Sequence, residues 1–196
     1  MLRRDRQTTS SKELGETLGY TDAQVRKDLA YFGQFGHPGI GYRVDELIAR
    51  VRCILGTDRT WNVLIAGAGN LGQALASYRG FARKGFQIVA VLDNDPARIG
   101  QPIGFVPGMK VLPMDRLPQV VAEHHVQIGI ITVPAEVAQP VADAMVKAGI
   151  HGILNFAPAA LSLQDDTAVA SVSLAVHLEQ LAFGIKARQE TAQEAQ

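Results

Sequence analysis

Residues 67–72, Gly67-Ala68-Gly69-Asn70-Leu71-Gly72, put three glycines at the spacing that lets a backbone close on a phosphate. At Gly67 the chain must leave a strand through a tight turn. At Gly69 a side chain would block a pyrophosphate, and at Gly72 a helix must pack closely on the strand before it. The amides that open this helix would face phosphate oxygens, where the helix dipole favours negative charge. An acid follows at the expected distance: the apolar run Phe86 to Leu92 ends in Asp93, about 20 residues on, where a carboxylate accepts hydrogen bonds from an adenosine ribose. With 19 glycines a lone GxGxxG can be accidental, but strand, glycines, helix, second strand and acid in order are specific. They predict a site for NADH and NAD+. Asp93 repels a 2′-phosphate, so NAD(H) is expected over NADP(H), with Arg98 the nearby cation that could shift the balance.

Two further segments end strands and could border the same ligand. Thr132-Val133-Pro134-Ala135-Glu136 and Asn155-Phe156-Ala157-Pro158 each offer carbonyls and a small polar group to a nicotinamide ring, although their prolines also suit a plain strand end. A different chemistry is suggested near the start. Ser10 to Leu18 reads as a short capped helix, Gly19-Tyr20 as a turn and Thr21 as the N-cap of a second helix. On that second helix Val25, Leu29 and Phe32 form the expected buried stripe, while Gln24, Arg26, Lys27 and Tyr31 project from the other side. In a DNA major groove, arginine and lysine reach guanine or phosphate, and glutamine pairs with adenine. The glycine-rich stretch Gly36 to Val44 then looks like a β-turn, the wing of a winged helix.

The elements that must position these groups fall into an α/β pattern. Polar Gly56-Thr57-Asp58-Arg59-Thr60 separates an amphipathic helix from the first strand, so the expected divisions are 1–57 for the helical module, 58–172 for a Rossmann-type domain and 173–196 for a terminal helix. Strands are predicted over 63–66, 86–92, 111–112, 127–133 and 152–156, and helices from about 70, over about 114–124 and up to about 148. Such alternation implies a parallel sheet covered on both faces. Pro140 means that the helix before Gly149 either starts late or kinks. Leu174, Leu178, Leu181 and Ile185 make one apolar stripe on a last helix of about 17 residues, which must cover the sheet of its own chain or a partner.

Composition narrows the classes further. Of the 196 residues 47% are hydrophobic, enough for a real core, and no apolar stretch approaches the roughly 20 residues that span a membrane. Met1 to Asp5 lacks the apolar core of a signal peptide, and Cys53 has no second cysteine for an internal disulfide or a metal site, so a cytoplasmic location is expected. Cys53 lies in an apolar-periodic stretch and is expected to be buried packing. Residues 1–50 hold eight Lys or Arg against seven Asp or Glu, so no broad basic field supports DNA binding, and a small helical dimerisation or lid module stays open for this part.

The string Thr21 to Gly36 followed by Gly39-Ile40-Gly41-Tyr42 closely resembles the recognition helix and wing of the Rex family of redox-sensing transcriptional repressors. The resemblance continues through Gly67 to Gly72, Tyr78-Arg79-Gly80-Phe81, Thr132-Val133-Pro134 and Gly152 to Pro158, nearly the whole chain. It implies a homodimer whose winged helices bind a palindromic operator and whose Rossmann domains bind NADH and NAD+ competitively, NADH releasing the DNA. Ser10, Ser11, Gly39 and Tyr42 join Thr21, Gln24, Arg26, Lys27 and Tyr31 as implied DNA contacts, and Tyr78 joins the implied cofactor contacts. The terminal helix would be exchanged between protomers. Departures from the pattern are a helix-turn-helix lacking the amphipathic helix that precedes it in the family, Pro38 at a usually basic wing position, and Ser173 where the family has an aspartate.

An NAD-dependent oxidoreductase with a small helical N-terminal module is the competing class. Hydride transfer needs a positioned acid or base. The five histidines, His37, His124, His125, His151 and His177, sit in the wing, at a helix end, before a strand and on the terminal helix, so no catalytic residue is assigned.

Overall fold

A computed structural model of the chain describes residues 7–36, 40–163 and 166–194. It divides into two compact units, 1–60 and 61–196. In the first, strand β1 (Thr8–Thr9) precedes helix α1 (Ser11–Leu18) and helix α2 (Asp22–Tyr31), then strand β2 (Tyr42–Arg43) and helix α3 (Val44–Ile54). Ser10 caps α1 reciprocally: its hydroxyl accepts from the Glu13 N–H at 3.2 Å while Glu13 Oε2 accepts from the Ser10 N–H at 3.1 Å. Gly19 closes α1 in the left-handed region at φ 77°, and the Thr21 hydroxyl opens α2 by accepting from the Gln24 N–H at 3.2 Å. Where the helices meet, a Cβ on Gly15 would come within 2.5 Å of the Tyr20 carbonyl oxygen, so only glycine permits this approach.

β1 pairs antiparallel with β2, Thr8 opposite Arg43, a ribbon that the sequence reading did not anticipate because each strand is two residues long. Val25 is buried as expected and Leu29 partly so, but Phe32 is 55% exposed. The reason is local: α2 ends at Tyr31, and Phe32 leaves the helical face to meet the Tyr31 ring edge-on, 5.1 Å between centroids. Cys53 is exposed rather than buried, and α3 has no buried residue.

The second unit carries a parallel six-stranded sheet in the order β5-β4-β3-β6-β7-β8. Its elements run β3 (Trp61–Ala66), α4 (Asn70–Ala76), α5 (Gly80–Arg83), β4 (Phe86–Asp93), β5 (Val111–Pro113), a 3-10 turn at Met114–Arg116, α6 (Leu117–His124), β6 (Ile128–Ile131), α7 (Ala135–Lys147), β7 (Gly152–Asn155), β8 (Ala168–Ser171) and α8 (Leu174–Glu194). Alternate residues of β3 feed opposite layers. Leu64 and Ala66 join Leu92, Leu117, Ile131 and Met145 on one face, and Val63 and Ile65 join Ile88, Val91 and Ile130 on the other.

α7 begins at Ala135 and runs through Pro140, so the late start is excluded. β8 was not anticipated: all four of its residues are exposed, and pairing of Gly152–Asn155 with Ala168–Ser171 alone makes it a strand. α8 extends over 21 residues, longer than expected, with Leu174, Leu178, Leu181 and Ile185 58–67% exposed. No helix among the described residues is long and apolar enough to cross a membrane.

Candidate functional site

β3 lies between β4 and β6 and hydrogen-bonds to both, so the strand order reverses around it and a crevice opens at the carboxyl ends of the three strands. Gly67 follows β3, Asp93 ends β4, and Thr132 follows β6. These residues with Gly69, Val133 and Pro134 line a groove of about 460 Å³, completed by Asn94, Arg98, Met114, Val137 and Val141. Its size suits a small ligand or one half of a larger one.

Gly67 turns the chain at φ 105°, and a Cβ there would meet the Thr132 hydroxyl at 2.7 Å. Thr132 ties the two strand ends together: its N–H donates to the Ala66 carbonyl at 2.8 Å, and its hydroxyl lies 3.0 Å and 2.9 Å from the carbonyls of Ala66 and Gly67. A Cβ on Gly72 would overlap the Gly67 carbonyl oxygen, the close helix packing that the spacing predicts. A Cβ on Gly69 would meet nothing within 4 Å. That open side is where a phosphate could approach. Asn70 and Leu71 form the first turn of α4 beside it.

Asp93 is held by three hydrogen bonds. Oδ2 accepts from the Ala68 N–H at 2.6 Å and from Arg98 Nη1 at 3.1 Å, and Oδ1 accepts from the Asp95 N–H at 2.9 Å. Burial alone would raise its pKa, but the two backbone N–H groups and the Arg98 guanidinium together hold the carboxyl below the usual carboxylate range. It is therefore ionised at neutral pH.

Several sequence-predicted residues lie elsewhere. Asn155 is fully buried, its Nδ2 donating to the Ala159 carbonyl at 2.8 Å and its Oδ1 accepting from the Ala157 N–H at 2.9 Å, so the side chain shapes its own turn instead of facing the groove. Phe156 packs on one core layer and Ala157 joins the other. Tyr78 stacks edge-on against Phe81 at 5.1 Å with its ring covering Gly80, and Glu136 is exposed in the first turn of α7; neither lines the groove. Met114, Val137 and Val141 were missed. Their signal was placement, just after the carboxyl end of β5 and one helical turn apart on α7.

In the first unit, Gln24, Lys27 and Tyr31 are exposed along α2, Tyr31 at 84%. Gln24 Nε2 donates to Asp28 at 2.7 Å. Arg26 is drawn back along its helix: Nη1 pairs with Asp22 Oδ2 at 2.7 Å and donates to the Ser11 hydroxyl at 3.2 Å, so Ser11 and Arg26 hold α1 to α2. Lys27 has no ion pair among the described residues. Ser10 and Thr21 accept from backbone N–H groups, and their hydroxyls can each still donate one hydrogen bond to an acceptor outside the described residues. Tyr42 sits in the ribbon, half-buried. Gly39, His37 and Pro38 lie outside the described residues.

A helix-turn-helix with a β-ribbon, joined to a Rossmann-type sheet with a glycine turn and a ribose-type acid, defines the class of two-domain regulators that unite a DNA-reading module with a nucleotide-binding one. Comparison with known proteins agrees. The family profile described as a CoA binding domain matches residues 58–159, and the one described as "Putative DNA-binding protein N-terminus" matches residues 1–30. The chain is 54% identical to the redox-sensing transcriptional repressor Rex of Carboxydothermus hydrogenoformans over 91% of its length and 85% of that protein, and 52% identical to Rex of Desulforamulus reducens over 91% and 83%. A crystal structure of RSP with β-NAD+ and operator DNA superposes with a TM-score of 0.88 at 37% identity, covering 98% of this chain and 87% of that one. RSP with β-NADH gives 0.80 at 35%, covering 100% and 89%. The chain belongs to the Rex family of redox-sensing transcriptional repressors.

Proposed function

We propose that the chain is a DNA-binding repressor that reads the NADH/NAD+ ratio, NADH in the Rossmann groove releasing a homodimer from a palindromic operator. The observation that carries this reading is the groove itself: Gly67, Gly69, Asp93 and Thr132 meet at the carboxyl ends of adjacent strands, in a chain that also holds a capped helix-turn-helix. The groove would supply phosphate contacts from the glycine turn and a ribose contact from Asp93. A CoA and a dinucleotide share the adenosine and pyrophosphate that such a turn and acid address, so the family description and the NAD reading concern the same half of the ligand. Among the remaining assigned cofactor residues, Ala68, Asn70, Leu71 and Gly72 build the turn, Val133 and Pro134 border the β6 side with Glu136 just beyond them at the start of α7, Asn155, Phe156 and Ala157 shape the β7 end, and Tyr78 braces α5.

Operator contacts fall to Gln24, Lys27 and Tyr31 on α2, with Thr21, Ser10 and Ser11 at the helix starts, Arg26 once drawn from Asp22, and Gly39 and Tyr42 from the wing. The functional division is 1–57 for DNA, 58–172 for the nucleotide and 173–196 for dimerisation by an exchanged α8, in the cytoplasm where NADH and the chromosome meet. The exposed Leu174, Leu178, Leu181 and Ile185 stripe supports the exchange, since a helix with such a face needs an apolar partner. The relatives are named repressors rather than enzymes, and among the described residues no histidine lines the groove, so the oxidoreductase alternative is not favoured.

Operator release by NADH means that the nucleotide binds more tightly to the conformation that leaves DNA, and the two affinities are linked reciprocally. Fluorescence anisotropy on a labelled palindromic operator, titrated with NADH in the presence and absence of NAD+, tests this. Release by NADH opposed by NAD+ is expected. Operator binding indifferent to both nucleotides would overturn it.

A further inference from the structure

Arg98 stands at the groove with its backbone fixed. The Ala97 N–H donates to Asp95 Oδ1 at 2.9 Å and the Arg98 N–H donates to the Asp95 carbonyl at 2.9 Å, a turn that brings the guanidinium back over the end of β4. Nη1 then meets Asp93 Oδ2 at 3.1 Å and Nε meets Asp95 Oδ2 at 3.4 Å. Its side chain is 45% exposed whereas that of Asp93 is 11% exposed, and both line the groove. Among the described lining residues Arg98 is the one cation.

The carboxylate of Asp93 is nearly filled before any ligand arrives. Oδ2 already accepts from Ala68 and Arg98, and Oδ1 from Asp95, which leaves Oδ1 one lone pair for a ribose hydroxyl. If that hydroxyl is phosphorylated, the ester meets the Asp93 charge, and the guanidinium on the same carboxylate is within reach of it. The guanidinium end of this pair is open to water and makes a single contact with Asp93, whereas a phosphate dianion offers arginine a two-pronged one.

We propose that Arg98 is a specificity-determining residue, setting how strongly the groove discriminates against an adenosine whose ribose carries a phosphate by offering that phosphate the guanidinium that otherwise rests on Asp93. This rests on the dinucleotide reading of the groove. Selectivity for NADH over NADPH is then a balance within the Asp93, Asp95 and Arg98 cluster, not a property of Asp93 alone. With the phosphate absent, Arg98 stays on Asp93, so its loss bears more on NADPH than on NADH.

Calorimetric titration of the full chain with NADH and with NADPH tests the proposal in the unmutated protein and in Arg98→Ala, Asp93→Asn and the double variant. Arg98→Ala is expected to weaken NADPH by about tenfold, the size of one lost charge-assisted contact, and to leave NADH within about threefold. Asp93→Asn should strengthen NADPH, and adding Arg98→Ala should cancel that gain. An NADPH/NADH affinity ratio unchanged by Arg98→Ala, or a double variant that keeps the gain, would overturn the proposal. No NADH binding by the unmutated chain would instead overturn the dinucleotide reading, and the proposal with it.

Discussion

The backbone N–H of Ala68 donates to Oδ2 of Asp93 at 2.6 Å across 25 residues of chain, so the acid that ends β4 is fastened to the middle of the glycine turn that follows β3. In the proposed reading, the phosphate contact of the turn and the ribose contact of the acid are thereby set at one distance from each other before a ligand binds. Preorganisation of this kind lowers the ordering cost of binding.

That bond makes stability pH-dependent in a defined direction. The Asp93 carboxyl titrates below its ordinary value, so its contribution is present above the unfolded pKa of about 3.9 and is lost as pH falls through the lower folded value. Thermal unfolding followed from neutral pH into the acid range should show a loss in the unmutated chain that Asp93→Asn reduces. Parallel curves for the two proteins would show that other carboxylates dominate the acid limb.

Gly69 and Gly72 should fail in different ways when changed to alanine. At Gly72 the new Cβ would overlap the Gly67 carbonyl oxygen, backbone that cannot step aside, so Gly72→Ala should cost about 1–3 kcal/mol of stability as well as nucleotide affinity. At Gly69 the Cβ meets nothing, so Gly69→Ala should keep the melting temperature and lose NADH binding. Calorimetry beside a melting curve separates the two. Unimpaired NADH binding by Gly69→Ala would place the pyrophosphate elsewhere.

Lys27 and Arg26 are neighbours on α2 with different attachments. Lys27→Ala should weaken operator binding by about 1–3 kcal/mol and flatten its dependence on salt by about one charge, with NADH affinity unchanged. Arg26→Ala should also lower the stability of the helix-turn-helix, because its guanidinium bridges Asp22 and Ser11. Anisotropy across a salt series reads both. An unchanged salt slope for Lys27→Ala would rule out a phosphate contact.

The exposed stripe of α8 predicts a dimer that one charge disrupts. Leu181→Asp should yield a monomer by light scattering, weaken binding to the palindromic operator through lost bivalency, and spare NADH binding in the groove. A dimer that survives the substitution would put the interface on another face.

Much of this arrangement is legible along the chain because it depends on short-range rules. Ser10 with Glu13, Gly19, Thr21, the three spaced glycines and the acid after the apolar run are each specified by neighbours within one turn or one strand, and each stands where the spacing places it. Elements with no local pattern were not legible. β8 is exposed along its length and β1 has two residues, so neither shows alternation, and each exists through pairing with a distant partner.

By itself the sequence determined the order of the elements that carry a local pattern, the glycine turn, its acid and the family. Tertiary structure decided which way the polar groups point. Asn155 and Asp93 both end strands of the same sheet, yet Asn155 is sealed inside its own turn while Asp93 reaches across to Ala68 and lines the groove. Phe32 and Cys53, placed in the core by periodicity, are exposed because burial requires a second surface to pack against, and periodicity describes only the first. Spacing along a chain constrains one element at a time. The direction of a side chain at a strand end depends on what the neighbouring strands bring beside it.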